Sequence, residues 1–388
     1  MRILVLSFYY PPDIGPGSLR AKSIVDAIIK EAGNNVQVEV ITTMPNRYQS
    51  LNTFALEREN NSKVNINRIN LPSHRNGMFD QTRAFILFVY KVKKLISNKN
   101  WDIVVATSSR LMTASLGAWI AKQTGSKLYL DIRDLFTDTM NSVLAKKPLY
   151  ILMPFLLILE KWTFKSCDML NLVSAGFLNH FKKITPNLSP SVYTNGVDKM
   201  FLKNNFSNNE TNSKPLILYT GNIGDGQGLH NIIPKAANEL EDIQFRLIGD
   251  GGERNLLIDN VLQKSLINVE ILKPVMRHDL LNEYKKADIL FLHLNNYEAF
   301  QKVLPSKIFE YAATGKPILA GVSGYAAKFL ADHVEGVEIF HPCDLESMKH
   351  GLQKLLNGPK IIDRKNFCLN FSREKIMKKL AKDILSLS

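Results

Sequence analysis

Cysteine is scarce: three in 388 residues, at Cys167, Cys343 and Cys368. Thiols this few, widely spaced and odd in number offer neither a disulfide framework nor a thiolate metal cluster, and they suit a reducing compartment. Long apolar runs are lacking too. No stretch approaches the roughly 18 apolar residues of a spanning helix, and the apolar start Ile3-Leu4-Val5-Leu6 is too short for a secretory signal. The expectation is a cytoplasmic protein. No Asp-x-Asp occurs and the eight histidines show no ligand spacing, so no metal site is expected. The Walker A and G-x-G-x-x-G sequences are absent, which sets aside a dinucleotide-dependent dehydrogenase, and no cofactor is expected. Acidic residues, 36 against 49 Lys plus Arg, leave a formal charge of +13. That excess implies an anionic partner: nucleic acid, an anionic membrane surface or a phosphorylated small molecule. Nucleic acid is set aside, because no basic run is interleaved with aromatics and no zinc-finger spacing is present.

What is present reads as two domains. Hydrophobic content is 45% and charged content 22%, and 388 residues exceed one ordinary core. Residues 2–8 read as a buried strand, Tyr9–Ser18 as a Pro/Gly loop, Leu19–Ile29 as a helix and Val36–Ile41 as a second strand. This is the seed of a doubly wound parallel sheet. Further strands are expected at Val64–Arg68, Ile103–Ala106 and Lys127–Asp131. The Asn- and Ser-rich Asn204–Ser213 reads as a linker. The scheme then restarts with strand Leu216–Thr220, a Gly-rich loop and a helix from near Leu229, followed by strands Gln244–Gly249, Val269–Ile271 and Ile289–His293 and a helix His278–Lys286. Domains over 1–200 and 214–371 follow. Because open α/β sheets bind ligands beyond the carboxyl ends of their strands, a cleft between the domains is the expected site.

Four patterns carry chemistry. Asn195-Gly196-Val197-Asp198 is a turn signal. Two Gly-rich loops, at Gly15/Gly17 and at Gly221/Gly224/Gly226/Gly228, could bring backbone N–H groups to phosphates, although a tight turn explains each equally. Ile248-Gly249-Asp250-Gly251-Gly252-Glu253-Arg254 is another strand-to-loop junction, read either as a nucleotide contact or as a turn. The most informative is Leu304–Ala320, where Pro305 suits the first turn of a helix, Gly315 its stop, and Pro317 bars continuation before a strand. Lys307 and Glu310 share one face of that helix; the carboxylate could bind two vicinal ribose hydroxyls and the lysine a phosphate. The plain alternative is a solvated Lys–Glu pair.

In this order and spacing the pieces resemble glycosyltransferase family 4, of the type that assembles bacterial surface polysaccharide. The resemblance implies an α/β fold of two Rossmann-like domains facing each other across a cleft, the GT-B fold, and transfer with retention from a nucleotide-sugar. It rests on Tyr9–Gly17, Asn195–Asp198, the opening at 216–223, Asp279–Asp288 and the Glu310 helix. It implies that the last helix, 372–388, packs back onto the N-terminal domain and that Glu310 binds the donor ribose. The family's partner glutamate falls on Lys302, and its diphosphate-binding Arg and Lys fall on Asn222 and Gln227. Lys307, Lys302 or Arg254 then substitute as cations. Ser306, Gly221, Asn222 and Gly249 complete the expected nucleotide site, and Gly15 and Gly17 an acceptor or diphosphate loop. Asp131-Ile132-Arg133-Asp134-Leu135 occupies the family's catalytic position, so Arg133 and Asp134 are the expected catalytic pair, with a strand-end ion pair as the alternative. Resemblance to transferases of the Arg-Asp-Leu type points to an N-acetylated deoxyhexose such as N-acetylfucosamine. The leaving phosphate is expected to help deprotonate the acceptor.

Leu149–Leu159, flanked by Lys146, Lys147, Lys161 and Lys165, is too short to span a bilayer. It reads either as a helix lying in an anionic membrane interface or as a buried core helix. Phe85–Val92 with Lys91, Lys93 and Lys94 is a second such segment. Peripheral attachment to the inner membrane face would suit a polyprenyl-diphosphate-linked sugar as acceptor. Two other readings remain: a sugar-nucleotide epimerase of the same fold, and a non-catalytic glycan- or membrane-binding protein on this scaffold.

Overall fold

The computed structural model describes residues 1–46, 54–72, 78–108, 110–144, 148–207 and 213–388. The chain divides into two compact units, Met1–Asn195 with Arg373–Ser388, and Gly196–Ser372. The first crossing falls at Asn195–Gly196, where Gly196 takes a left-handed φ of 71°. It precedes the Asn-rich stretch, of which 208–212 lie outside the described residues; Phe201 and Phe206 are buried in the core of the second unit.

The first unit runs through β1 (Arg2–Ser7), α1 (Pro16–Ala32), β2 (Gln37–Thr43), β3 (Arg58–Asn60), β4 (Val64–Ile69), α2 (Met78–Ile96), β5 (Ile103–Ser108), α3 (Leu111–Thr124) and β6 (Lys127–Ile132). It continues through α4 (Phe136–Leu144), α5 (Met153–Lys165), β7 (Met169–Leu172), α6 (Leu178–Ile184) and β8 (Ser191–Val192). Its eight strands lie in the order β3-β4-β2-β1-β5-β6-β7-β8. All pairs are parallel except β3 with β4. The apolar runs Ile3–Leu6 and Ile103–Ala106 are fully buried, as parallel strands covered on both faces must be. From β1 the chain winds outward on one side to β4, then returns to β5 on the other. The sheet's switch point therefore lies beyond Ser7 and Ser108.

The second unit holds α7 (Lys199–Leu202), β9 (Leu216–Asn222), α8 (Leu229–Glu239), β10 (Gln244–Asp250), α9 (Arg254–Gln263), β11 (Val269–Leu272), α10 (Arg277–Lys286), β12 (Ile289–His293), α11 (Lys307–Thr314), β13 (Ile318–Gly321), α12 (Gly324–His333), β14 (Val337–Phe340), α13 (Leu345–Leu356) and α14 (Lys365–Asn370). Six strands form an all-parallel sheet, β11-β10-β9-β12-β13-β14. Its switch point falls between β9 and β12. The final helix, α15 (Arg373–Leu385), packs Met377, Leu380, Ala381 and Ile384 into one core with Ile24, Val25 and Ile28 of α1. That spacing is one face of a helix.

Strand Ile289–His293 has the limits its apolar run predicts. Two readings are corrected. Pro305 does not lie in the first turn of α11: Ser306 is the flanking residue and Lys307 the first helical one. The short strands β3, β7, β8 and β14 were not anticipated, because runs of two to four residues carry no usable period. Gly315 ends α11 with φ 74°, as a left-handed stop should.

Candidate functional site

Polar side chains gather where β9 ends and α11 begins. Register sets Gly249 of β10 opposite Gly221 of β9. A Cβ on Gly249 would stand 1.8 Å from the Gly221 carbonyl oxygen, so any side chain there would force the two strand ends apart. Packing by itself requires a glycine there. Beside Gly221 runs Lys307, whose Cε lies 3.8 Å from the position a Gly221 Cβ would take.

The apolar stripe of α11, Ile308, Phe309, Tyr311 and Ala312, faces the core. This anchors the helix so that Lys307 and Glu310 sit at the margin of the buried surface. Lys307 Nζ donates to Glu310 Oε2 at 2.8 Å and to the Tyr284 hydroxyl at 3.1 Å. Tyr284 donates to the same Glu310 oxygen at 3.2 Å and lies 2.9 Å from Thr220 Oγ1. Thr220 N in turn donates to the Tyr311 hydroxyl at 3.1 Å. The Lys–Glu pair therefore exists, but it is not the solvated pair of helix statistics, because Glu310 is only 9% exposed. Burial, together with the Glu310 charge, pushes the Tyr284 phenol well above its ordinary range, keeping its proton available for donation.

On the other side of the switch point, Asn222 Nδ2 donates to Gln227 Oε1 at 2.7 Å, so the two amides occupying the expected cation positions bond each other. The Gly224–Gly228 loop is braced from β12 and the segment after it. Asn295 donates to the Asp225 carbonyl at 3.0 Å and Tyr297 to the Asp225 carboxylate at 3.1 Å. His293 Nδ1 donates to the Gln227 carbonyl at 2.7 Å while its Nε2 accepts from Cys343 N at 3.0 Å. Burial pushes this imidazole down to about 4, which keeps the ring neutral, and the two hydrogen bonds select the Nδ1–H tautomer. Lys302 closes the short turn Glu298–Lys302, whose Phe300 packs on Gly226. Arg254 opens α9 and points its Nη2 toward the Ile271 carbonyl on β11 at 3.5 Å. Glu310, Lys307 and Gly221 are thus brought together, with Ser306 at the helix start and Gly249 behind Gly221. Arg254 is not hydrogen-bonded to this cluster.

In the first unit the Gly15 carbonyl accepts from Leu19 N in the opening turn of α1. Gly17 has a more specific role. A Cβ there would lie 2.1 Å from Arg133 Nη1 and 2.6 Å from Nη2; only a bare backbone lets that guanidinium rest on the helix. Arg133 is held through its own N–H, which donates to Ser108 O at 2.9 Å. The neighbouring Asp134 carboxyl is pushed up to about 6, chiefly by burial. Behind them, fully buried Asp131 accepts from Arg20 at 2.7 and 2.8 Å, from Thr107 at 2.7 Å and from Asn171 at 2.7 Å. The adjacent guanidinium and these donors outweigh burial and hold its carboxyl below the usual range. Sequence reasoning missed Tyr284, Thr220, Tyr311, Arg20 and Arg110. The tyrosines read as core aromatics, and Arg20 meets its partner 111 residues away.

Two mostly parallel sheets, each the core of its own α/β unit, define the class of fold: an α/β architecture of the GT-B type. Residues 201–371 match the model of the family described as Glycosyl transferases group 1. The chain is 29% identical over 178 residues to a protein of Escherichia coli (strain K12) described as a colanic acid biosynthesis glycosyl transferase, WcaI. That match covers 44% of this chain and 43% of the relative, so less than half of the relative's length is spanned. Among solved structures, sucrose-phosphate synthase from Thermosynechococcus elongatus is similar with a TM-score of 0.78 at 15% identity, covering 100% of both chains. Anabaena HepE, in complex with UDP and glucose, is similar with a TM-score of 0.62 at 15% identity, covering 100% of this chain and 97% of the other.

Proposed function

We propose that the chain is a retaining glycosyltransferase of family 4 that moves a sugar from a UDP-sugar to a lipid-linked or glycan acceptor in surface-polysaccharide biosynthesis. The observation that carries this reading is the Glu310–Lys307–Tyr284 cluster at the second unit's switch point, inside the segment that matches the transferase family model. A nearly buried carboxylate at a strand-end crevice is suited to a ribose diol. The described relative in colanic acid biosynthesis and the UDP complex of HepE support the pathway class and the donor base. The transferred sugar is proposed to be N-acetylated.

In the reaction the bond from the sugar's anomeric carbon to the diphosphate oxygen breaks. The acceptor oxygen bonds to that carbon from the same face, and the acceptor proton passes to the leaving phosphate. Such a step needs cations and N–H donors aimed at the diphosphate and a firmly positioned acceptor. Lys307 and the Gly221–Asn222 strand end are the proposed diphosphate groups, with Lys302 and Arg254 as supplementary cations. Arg133 and Asp134 are proposed to act at the reacting sugar. The absence of an Asp-x-Asp sequence supports metal-independent transfer.

Peripheral attachment to the cytoplasmic membrane face is part of the proposal. Ile151 is 82%, Phe155 63% and Ile158 69% exposed along α5 and the turn before it, and Lys161 and Lys165 are exposed on the same helix. The core-helix reading of this segment therefore fails for those side chains; Lys146 and Lys147 lie outside the described residues. Ile86 and Tyr90 on α2 are likewise exposed, with Lys94 Nζ 4.6 Å over the Tyr90 ring. Apolar side chains beside lysines suit an anionic interface. A thermal-shift screen of UDP-, GDP- and dTDP-sugars, followed by product analysis with and without a lipid-linked acceptor, tests the reading. Donor binding with acceptor-dependent transfer is expected; loss of donor alone by isomerisation would establish an epimerase instead, and no nucleotide binding would remove the basis for any transferase.

A further inference from the structure

The first unit has a switch point of its own, and its chemistry differs from that of the second. A pocket at the carboxyl ends of β1 and β5 is bordered by Ser7, Gly17, Ser108, Arg110, Thr113 and Arg133. Two guanidinium groups thus border one small space. Arg110 is held in place without a counter-charge: its guanidinium carbon lies 5.0 Å from the Phe8 ring centroid and 5.7 Å from that of Tyr9. Its Nη2 donates to the Tyr9 hydroxyl at 3.0 Å, and Ser108 Oγ accepts from its backbone N–H at 2.9 Å. Among the described residues Arg110 forms no ion pair. Arg110 also borders a second small cavity, which Asp134 and Glu160 line as well.

Thr113 supplies an independent observation. It is 1% exposed and borders the pocket, yet its hydroxyl has no hydrogen-bond partner. Buried hydroxyls are nearly always satisfied, so a bound oxygen is the natural complement. The enclosed part of the pocket measures about 10 Å³, room for one oxygen-sized atom. Thr113 also lies in the first turn of α3, whose positive end opens here. We propose that this pocket is a phosphoryl-binding subsite: Arg110 and Arg133 hold the anion at the mouth, and one of its oxygens enters to meet the Thr113 hydroxyl. The transferase reading is used only to say which molecule bears the phosphoryl group, the nucleotide-sugar or a phosphorylated acceptor.

Inorganic pyrophosphate is the probe, titrated calorimetrically into the 388-residue chain and into its Arg110→Gln and Thr113→Val variants, with UDP titrated in parallel. The wild type is expected to bind pyrophosphate, Arg110→Gln at least tenfold more weakly and Thr113→Val severalfold more weakly, because guanidinium–phosphate bonds are among the strong ones. Unchanged UDP affinity in Arg110→Gln assigns the subsite to the acceptor, and a parallel loss assigns it to the donor. Thr113→Val is buried and nearly isosteric, so a native melting curve for it separates binding from folding. Wild-type-like pyrophosphate affinity in both variants, or none in the folded wild type, overturns the subsite. Arg110-dependent pyrophosphate binding by a protein that ignores UDP would keep the subsite and sink the transferase reading.

Discussion

If Glu310 clasps the ribose, the affinity for UDP must depend on the sugar's hydroxyls, and that dependence must vanish when the carboxylate is removed. One carboxylate oxygen already accepts from Lys307 at 2.8 Å and Tyr284 at 3.2 Å, which orients the group without side-chain freedom to lose on binding. Each hydroxyl donating to an ionised acceptor contributes about 1.5–3 kcal/mol. Two such bonds, net of competition with water, give about 3 kcal/mol, or roughly 150-fold in Kd. Omitting the 2′-hydroxyl removes about half of that, near tenfold. Isothermal titration of UDP and 2′-deoxy-UDP against the wild type and Glu310→Ala reads both quantities. The wild type should prefer UDP about tenfold; the variant should bind both weakly and equally. The truncation also strands Lys307, whose side chain is 21% exposed, so a stability loss of about 1–2 kcal/mol is expected and the melting curve should still show a folded protein. A wild type indifferent to the 2′-hydroxyl, or a variant that keeps the preference, refutes the ribose role.

Other perturbations test other links. Asp131→Asn leaves the Arg20 guanidinium, 2% exposed, with no compensating charge, so the first unit should lose about 3–5 kcal/mol; a melting temperature within a degree of wild type would contradict this. Asp134 carries a folded pKa raised to about 6, so the folded state binds the extra proton between the ordinary value and that one. Stability should therefore fall as pH rises from about 4 to 6, by at most about 3 kcal/mol, and Asp134→Asn should flatten that segment of the urea-midpoint profile. Phe155→Asp with Ile158→Asp replaces exposed apolar side chains on α5 and should abolish flotation with anionic liposomes while leaving the melting curve unchanged. Equal flotation of variant and wild type would remove α5 from the membrane surface.

The legible part of the fold was the part written in runs and periods. Ile3–Leu6, Ile103–Ala106 and Ile289–His293 announce central parallel strands because such strands are apolar on both faces. The helix of Glu310 is bracketed by Pro305, Gly315 and Pro317, a punctuation with a backbone cause. Gly17 and Gly249 were visible as glycines, but not the packing that requires them. One yields to the Arg133 guanidinium and the other to the Gly221 carbonyl, and neither neighbour is near in sequence.

Composition and order thus determined by themselves an α/β chain with a repeated strand–loop–helix scheme, since propensity and burial pattern act within a few residues of one another. The placement of Tyr284 beside Glu310 and Lys307, of Arg20 against Asp131, and of Arg110 and Arg133 around one pocket was decided only by the tertiary structure. Strand order sets those meetings, and strand order is a property of the whole sheet: β1 joins β5 across some hundred residues of intervening chain. Charges separated so far along the sequence carry no local mark of the partner they will find.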